Sequence, residues 1–162
     1  MFLSISSNGK NGIDHPYYDI NKEYYDNLKI DKIEWVLFNN KTKECIQKSY
    51  SKRLKEILNI FVLDLEFIDK IIVFNSNLEI NILLNELKSN NMKDIITKLN
   101  NMDICSIMTM AYRKFGSKFY NHVYKPYWSI SDIYNRLYNE NIYIDQNMDN
   151  IRFIYEELSR FE

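Results

Sequence analysis

Apolar residues along the first half of the chain follow the spacing of short strands. Runs of apolar and β-branched residues predict strands at residues 2–6, 32–39, 44–51 and 71–74. The polar turn Asn39-Asn40-Lys41 joins the second run to the third, so these two runs predict a β-hairpin.

Between and after these runs, apolar residues recur at helical spacing. The pattern predicts helices over residues 54–70 and 78–87, a short helix or turn over residues 92–99, and helices over residues 102–115, 129–138 and 150–161. Asp103 is the predicted cap of the fourth helix, and residues 116–127 are predicted as a loop. The order of strand, hairpin, helix, strand and further helices indicates an α/β fold. No repeat or linker divides the chain, so residues 1–162 are interpreted as one domain.

The composition indicates what kind of protein this is but does not indicate a reaction. The formal net charge is −1 at pH 7, so binding to nucleic acid or to a membrane would need a local patch. Heavy use of Asn, Lys, Ile and Tyr is typical of an AT-rich genome, viral or microbial. Cys45 and Cys105 lack metal or redox spacing, and no run of about 18 apolar residues occurs. These features predict an intracellular protein, in the cytoplasm or, for a viral protein, in the host cytoplasm or virion, with no membrane partner.

One acidic residue stands at the mouth of the predicted sheet. The strand at residues 71–74 ends at the polar step Asn75-Ser76-Asn77, and Glu79 follows in the first turn of the next helix. Ligands of open α/β sheets usually bind beyond the carboxyl ends of the strands. Glu79 is therefore a candidate site residue.

The residues around Glu79 resemble the second motif of the ribonuclease H-like DEDD 3′-5′ exonucleases, the proofreading type. That motif reads hydrophobic-Asn-x-x-hydrophobic-Asp, and Phe74-Asn75-Ser76-Asn77-Leu78-Glu79 matches it with Glu79 in the place of the acid. Residues 32–53 resemble the second and third strands of the family, residues 102–108 its Ile-Asp-Thr helix start, and residues 127–134 its Pro-Ser-Leu-x-x-Leu-Tyr helix. The resemblance implies a mixed sheet with a three-stranded antiparallel part and further parallel strands, flanked by helices.

The same resemblance locates the catalytic positions of the family on this chain. Such enzymes hold two divalent cations, Mg²⁺ or Mn²⁺, between four carboxylates. The first motif, Asp-x-Glu, falls on Ser6-Ser7-Asn8, and the acid of the third motif falls on Asp149. The general base falls on Ile144 or on Asp145, according to the spacing of the third motif.

The residues at these positions depart from the family. A hydroxyl at Ser6 and an amide at Asn8 do not supply the negative charge that holds two cations. The departure predicts a domain that keeps the exonuclease fold without its catalysis, and for which no cofactor is expected. The alternative is an active, metal-dependent 3′-5′ exonuclease, in which Glu79 and Asp149 would hold Mg²⁺ or Mn²⁺.

A second candidate site combines cations and aromatic rings. Residues 112–128 contain no acid, and their cations and rings include Arg113, Lys114, Lys118, Tyr120 and Lys125. Cations contact phosphates and bases stack on aromatic faces, so this segment predicts a surface for single-stranded DNA or RNA. Two other interpretations stay open: aromatic residues packed in the core beneath solvated lysines, and a surface for a protein partner. The predicted function is accordingly a nucleic-acid-binding or structural subunit of a larger assembly.

Other candidate features carry less weight. Asp64-Leu65-Glu66 is a second Asp-x-Glu, but too few residues separate it from Asn75 for a hairpin to follow, so it is interpreted as an acid pair on the solvated face of a helix. His15 and His122 belong to no nucleophile arrangement and are expected at the surface or in supporting positions. A helical, viral Bcl-2-like protein is a distant alternative, against which the predicted hairpin counts.

Overall fold

The computed structural model describes residues 1–7, 29–39, 41–42, 44–50, 54–116, 118–120, 123–125 and 128–161. Their strands are β1 (Phe2–Ser7), β2 (Ile30–Phe38), β3 (Cys45–Tyr50), β4 (Lys70–Val73), β5 (Asp103–Ser106), β6 (Lys118–Tyr120) and β7 (Val123–Lys125). Their helices are α1 (Leu54–Leu65), α2 (Ser76–Ser89), α3 (Lys93–Asn100), α4 (Ile107–Phe115), α5 (Ile130–Tyr138) and α6 (Met148–Ser159). Asn8, His15, His122 and the tyrosines at positions 17, 18, 24 and 25 lie outside the described residues.

The main sheet has five strands in the order β3-β2-β1-β4-β5. β1 and β3 pair antiparallel with β2, whereas β1, β4 and β5 run parallel to one another. This mixed sheet with flanking helices confirms the predicted α/β fold class and is consistent with a ribonuclease H-like arrangement. An all-helical Bcl-2-like fold is not what the chain adopts.

Alternation along the strands gives the sheet two buried faces. Leu3, Trp35 and Val73 belong to one hydrophobic cluster, which α1, α2 and α3 cover. Phe2 and Ile72, at neighbouring positions of the same strands, belong to a second cluster, which α4, α5 and α6 cover. Successive side chains of a strand point to opposite faces, so the fold has three layers with the sheet in the middle. None of the described helices is both long and apolar enough to cross a membrane.

The predicted helix over residues 102–115 is wrong in its first turn. Asp103–Ser106 pairs in parallel with β4 as the edge strand β5, and the helix begins only at Ile107. The cap is Ser106, whose Oγ accepts a hydrogen bond from the amide of Thr109, while Asp103 forms an ion pair with Lys70 at 3.0 Å. Short apolar runs fit either period, and pairing with β4 decided this one.

Two other boundaries differ from the sequence prediction. The predicted helix over residues 54–70 ends at Leu65, and a turn leads into β4 at Lys70. The predicted loop over residues 116–127 contains the antiparallel pair β6 and β7. Both differences arise where few residues are available to show a period, so neighbouring strands set the local structure.

Asp64 is not on a solvated helix face, contrary to the prediction. Its carboxylate accepts a hydrogen bond from Trp35 Nε1 at 2.7 Å and hydrogen bonds from Lys48 Nζ at 2.7 and 2.9 Å. Trp35 lies on β2 and Lys48 on β3, at facing positions of the register. Asp64 therefore fastens α1 to two strands of the sheet.

Candidate functional site

Glu79 lies in the first turn of α2, where the sequence placed it, but it is enclosed. Its side chain is 2% exposed. Oε1 accepts a hydrogen bond from the backbone amide of Ile5 at 3.3 Å, and Oε2 accepts one from the backbone amide of Asn75 at 2.9 Å. Both carboxyl oxygens are thus engaged by the main chain.

Glu79 binds backbone amides because strands β1 and β4 separate beside it. β1 and β4 pair through Phe2 with Ile72 and Leu3 with Val73, and β4 ends there. Beyond that point the amide of Ile5 binds Glu79 instead of a strand carbonyl. A buried amide without an acceptor would be costly, so Glu79 stabilises the point where the two strands part and α2 begins.

Burial also changes the acidity of Glu79. Desolvation raises the pKa of its carboxyl to about 7, and the backbone amides of Asn75, Ile5 and Phe74 oppose that shift by hydrogen bonding. The carboxyl group therefore exists in both protonation states near neutral pH.

The positions to which the first motif was assigned, Ser6-Ser7-Asn8, contain no acidic residue. Ser6 is exposed near the end of β1, opposite Lys32 in the register, and a bulge follows between Ser6 and Ser7. Asn8 lies outside the described residues. The end of β1 thus presents a hydroxyl at the first position where the family has a carboxylate.

Asp149 and Asp145 both lie at the start of α6. The side chain of Asp149 is 87% exposed and lies 3.9 Å from Arg152. The carboxylate of Asp145 accepts hydrogen bonds from the side-chain amides of Asn147 and Asn150, each at 3.0 Å. Since Asn147 is the N-cap of α6, Asp145 helps to organise the beginning of that helix.

A two-metal site needs several oxygen ligands close together. In the part of the chain that is described, no three His, Cys, Asp or Glu side chains come together. Mg²⁺ and Mn²⁺ take several oxygen ligands, and both oxygens of Glu79 already accept backbone hydrogen bonds. Binding of one cation by Glu79 and Asp149 stays a prediction, with one ligand buried and the other exposed.

The cationic segment predicted from the sequence forms the end of α4 and a hairpin. Arg113 is exposed in the last turn of α4, and the ammonium of Lys114 lies over the rings of Phe115 and Phe161. The register of β6 and β7 places Lys118 opposite Lys125. We call Arg113, Lys114, Lys118, Tyr120 and Lys125 the hairpin surface.

Aromatic packing holds the base of this hairpin. Trp128 is buried, its Nε1 donates to the carbonyl of Gly116 at 3.2 Å, and its ring lies 5.4 Å from that of Phe115. Gly116 has φ +73°, a conformation that favours glycine. The packing interpretation therefore holds for Phe115 and Trp128, while Arg113 is exposed.

The sequence did not predict the burial of three polar residues, Asn75, Ser106 and Glu86. Asn75 donates its amide to Glu79, and Ser106 donates its hydroxyl to the carbonyl of Phe74 at 3.3 Å. Glu86 is 6% exposed, and its Oε2 has no hydrogen-bond donor among the described residues. For Glu86 the one available signal was its spacing of seven residues from Glu79, which puts both acids on one helical face.

Comparisons of the chain with protein-family models, with curated proteins and with solved structures gave no match.

Proposed function

We propose that this chain is a non-catalytic domain that binds single-stranded nucleic acid, built on an exonuclease-like sheet and acting within a larger assembly. The observation that carries the proposal is the hairpin surface, where Arg113 and Lys114 are followed by two lysines at facing positions of a β-ladder. The resemblance of residues 74–79 to an exonuclease motif, together with the strand order, supports the ancestry.

The case against catalysis rests on two side chains. Ser6 has a neutral hydroxyl at a position that needs a metal-binding carboxylate. Glu79 directs its oxygens to the amides of Ile5 and Asn75 and is 2% exposed. A carboxylate used in this way stabilises the fold rather than a cation.

The positive charge of the hairpin surface supports binding of nucleic acid. Like charges at facing positions of an antiparallel pair destabilise it, so Lys118 and Lys125 favour an anion near the hairpin. Phosphates of a nucleic-acid strand supply such charge. Because the net charge of the whole chain is −1, the attraction is local and should weaken as salt is added.

Fluorescence anisotropy with labelled single-stranded RNA and DNA of mixed sequence tests the binding. We expect Arg113→Glu and the double variant Lys118→Glu/Lys125→Glu to weaken affinity by about tenfold or more and to reduce its dependence on salt. Lys88→Glu and Lys93→Glu, which reverse exposed charges on α2 and α3, are matched controls. Equal affinity in all five proteins would contradict nucleic-acid binding at this surface and favour a protein partner.

A cleavage assay tests the absence of catalysis separately. Purified protein incubated with the same strands and Mn²⁺ should leave them intact. Glu79→Gln preserves the size of the side chain, and circular dichroism would show whether it folds. Cleavage by the native chain that disappears in a folded Glu79→Gln variant would overturn the non-catalytic assignment.

A further inference from the structure

A concave site lies at the end of β1 and β4 opposite to Glu79. The start of β1, the end of β2, the turn before β4 and the second half of α6 enclose a cavity of about 400 Å³. Phe2 and Ile72 lie in its wall on the sheet, and Tyr155 lies in its wall on α6. Small-molecule sites typically have volumes of roughly 300 to 1,000 Å³, so the cavity is large enough for one.

Four aromatic residues are among those that line the cavity. The ring of Phe2 makes edge contacts with the rings of Phe38 and Tyr155, at centroid distances of 6.4 and 5.5 Å. Phe67 also lines the cavity and is 84% exposed, because the turn that follows α1 directs it away from the core. A ligand that covers this ring removes its apolar area from water, which favours binding.

The charged side chains of the cavity are two acids and one base: Asp69, Glu156 and Lys70. Lys70 is neutralised by Asp103, at 3.0 Å. The carboxylate of Glu156 lies 3.9 Å from the guanidinium of Arg152, which is a long ion pair. Asp69 is exposed. The side chains of the cavity therefore leave an excess of negative charge beside the aromatic wall.

The amino group of Met1 also lies at this cavity. The amino group of Met1 donates a hydrogen bond to the carbonyl of Lys70 at 2.8 Å. Burial lowers its pKa to about 6, and Asp69 opposes that shift. Above pH 7 the group is mostly neutral, so it adds little positive charge.

We propose that this cavity binds an organic cation, meaning an ammonium or guanidinium group carried on an apolar body. A cation gains from the face of an aromatic ring and from a nearby carboxylate, and Phe67, Asp69 and Glu156 offer both. The apolar body would cover Phe2 and Ile72 at the floor. This site is independent of the hairpin surface and of the proposed nucleic-acid binding.

Calorimetric titration near pH 8 with phenethylammonium chloride, and with the neutral isostere 2-phenylethanol, tests the proposal. We expect the cation to bind about tenfold tighter than the alcohol, and Phe67→Ala, Asp69→Asn and Glu156→Gln each to weaken the cation about threefold or more. Lys70→Gln, which removes a positive charge from the cavity, should increase the affinity for phenethylammonium. Leu63→Ala and Glu66→Gln, exposed positions outside the cavity, are the matched controls.

Three results would overturn the proposal. Equal affinity for the amine and the alcohol would show an apolar cavity without preference for charge. Unchanged affinity in the three cavity variants would place the amine elsewhere. Failure of phenethylammonium and of an arginine-containing hexapeptide to bind would leave the cavity without a cationic ligand.

The source of the cation follows from a second pair of probes. The arginine hexapeptide is compared with its citrulline counterpart, which has the same shape without the charge. Binding of the arginine peptide alone would assign the cation to a partner polypeptide, and tighter binding of phenethylammonium would assign it to a free amine. Both outcomes support recognition of an organic cation, and the Phe67→Ala variant must weaken either one.

Discussion

Among single residues, Glu79 combines a buried carboxyl group with hydrogen bonds to the backbone amides of Ile5 and Asn75. Desolvation raises the pKa of its carboxyl in the folded chain to about 7, from an ordinary value of 4.5. A proton therefore binds the folded state more tightly than the unfolded state. The resulting stabilisation is complete below about pH 4.5 and is lost as the pH rises through about 7.

The variant Glu79→Gln should remove this pH dependence. Near pH 5 the native side chain is neutral, so the two proteins should differ there mainly through the one backbone amide that faces the NH2 group of Gln and loses its acceptor. Between pH 5 and pH 8 the free energy of unfolding of the variant should rise relative to that of the native protein by an amount on the order of 3 kcal/mol at most, since the variant has no charge to bury. Urea unfolding at both pH values measures the difference.

Glu66→Gln, which alters an exposed acid in the turn after α1, is the control for this experiment. Its effect should be small at both pH values. An equal stability difference for Glu79→Gln at pH 5 and pH 8 would show that ionisation of Glu79 does not oppose folding.

The sequence placed Glu79 correctly at a strand-to-helix junction because apolar periods are local. Its burial was not predictable, since it depends on β1 parting from β4 after Leu3 and Val73. The same limit applies to Asp64, whose partners Trp35 and Lys48 lie in other elements. Local patterns locate an acid, whereas tertiary packing determines its chemistry.

Among the helices and strands, α4 shows how one residue ends a strand and starts a helix. Ser106 is the last residue of β5, and its hydroxyl both caps α4 and bonds the carbonyl of Phe74. Ser106→Ala should lower the free energy of unfolding by about 1 kcal/mol, because it removes the cap. Thermal unfolding should show a decrease in Tm of about 2 to 4 °C.

Ser89→Ala serves as the comparison, because Ser89 is exposed in the last turn of α2 and bonds only its own helix. Its effect should stay within about 0.5 kcal/mol. A decrease as large in Ser89→Ala as in Ser106→Ala would remove the special role of the cap.

The contact of α1 with the sheet offers a graded test. Asp64→Ala leaves Trp35 Nε1 without its acceptor and Lys48 without its anion, so it should cost about 2 to 3 kcal/mol. Asp64→Asn keeps an acceptor for Trp35 and should cost clearly less. Urea unfolding of the two variants distinguishes them, and equal losses would show that the hydrogen bond to Trp35 contributes nothing.

At the level of elements, the sequence predicted β2, β3, β4 and the hairpin between β2 and β3 closely. It missed β5 because Asp103–Ser106 has four residues and runs directly into a helix. Its strand character comes from the parallel register with Lys70–Val73. A short edge strand is defined by its neighbour more than by its own residues.

For the whole molecule, the mixed α/β sheet was predictable because the strand and helix patterns follow one another along the chain in an order typical of such folds. The cavity beside Phe67 was not predictable, because its wall combines Phe2, Phe38, Tyr155 and other residues that lie far apart in sequence. Separation in sequence is also why the hairpin surface, confined to residues 113–125, was proposed from sequence and the cation site was not. Surfaces made of one segment are visible in a sequence, and cavities between layers are not.

The three-layer arrangement has a consequence for fluorescence. Trp35 is buried on the face covered by α1, α2 and α3, and Trp128 on the face covered by α4, α5 and α6. In Trp128→Phe the remaining indole reports on the first layer, and in Trp35→Phe on the second. We expect the emission shift of each variant to coincide with its own circular dichroism during urea unfolding, because both layers share one sheet.

Separate transitions by emission and by circular dichroism would mean that one helical layer detaches while the sheet persists. In that case the emission of each tryptophan would report the unfolding of the helices on its own side of the sheet. The chain would then contain two cooperative units that share one sheet. The two tryptophans of the sequence thus make the two sides of the sheet independently observable.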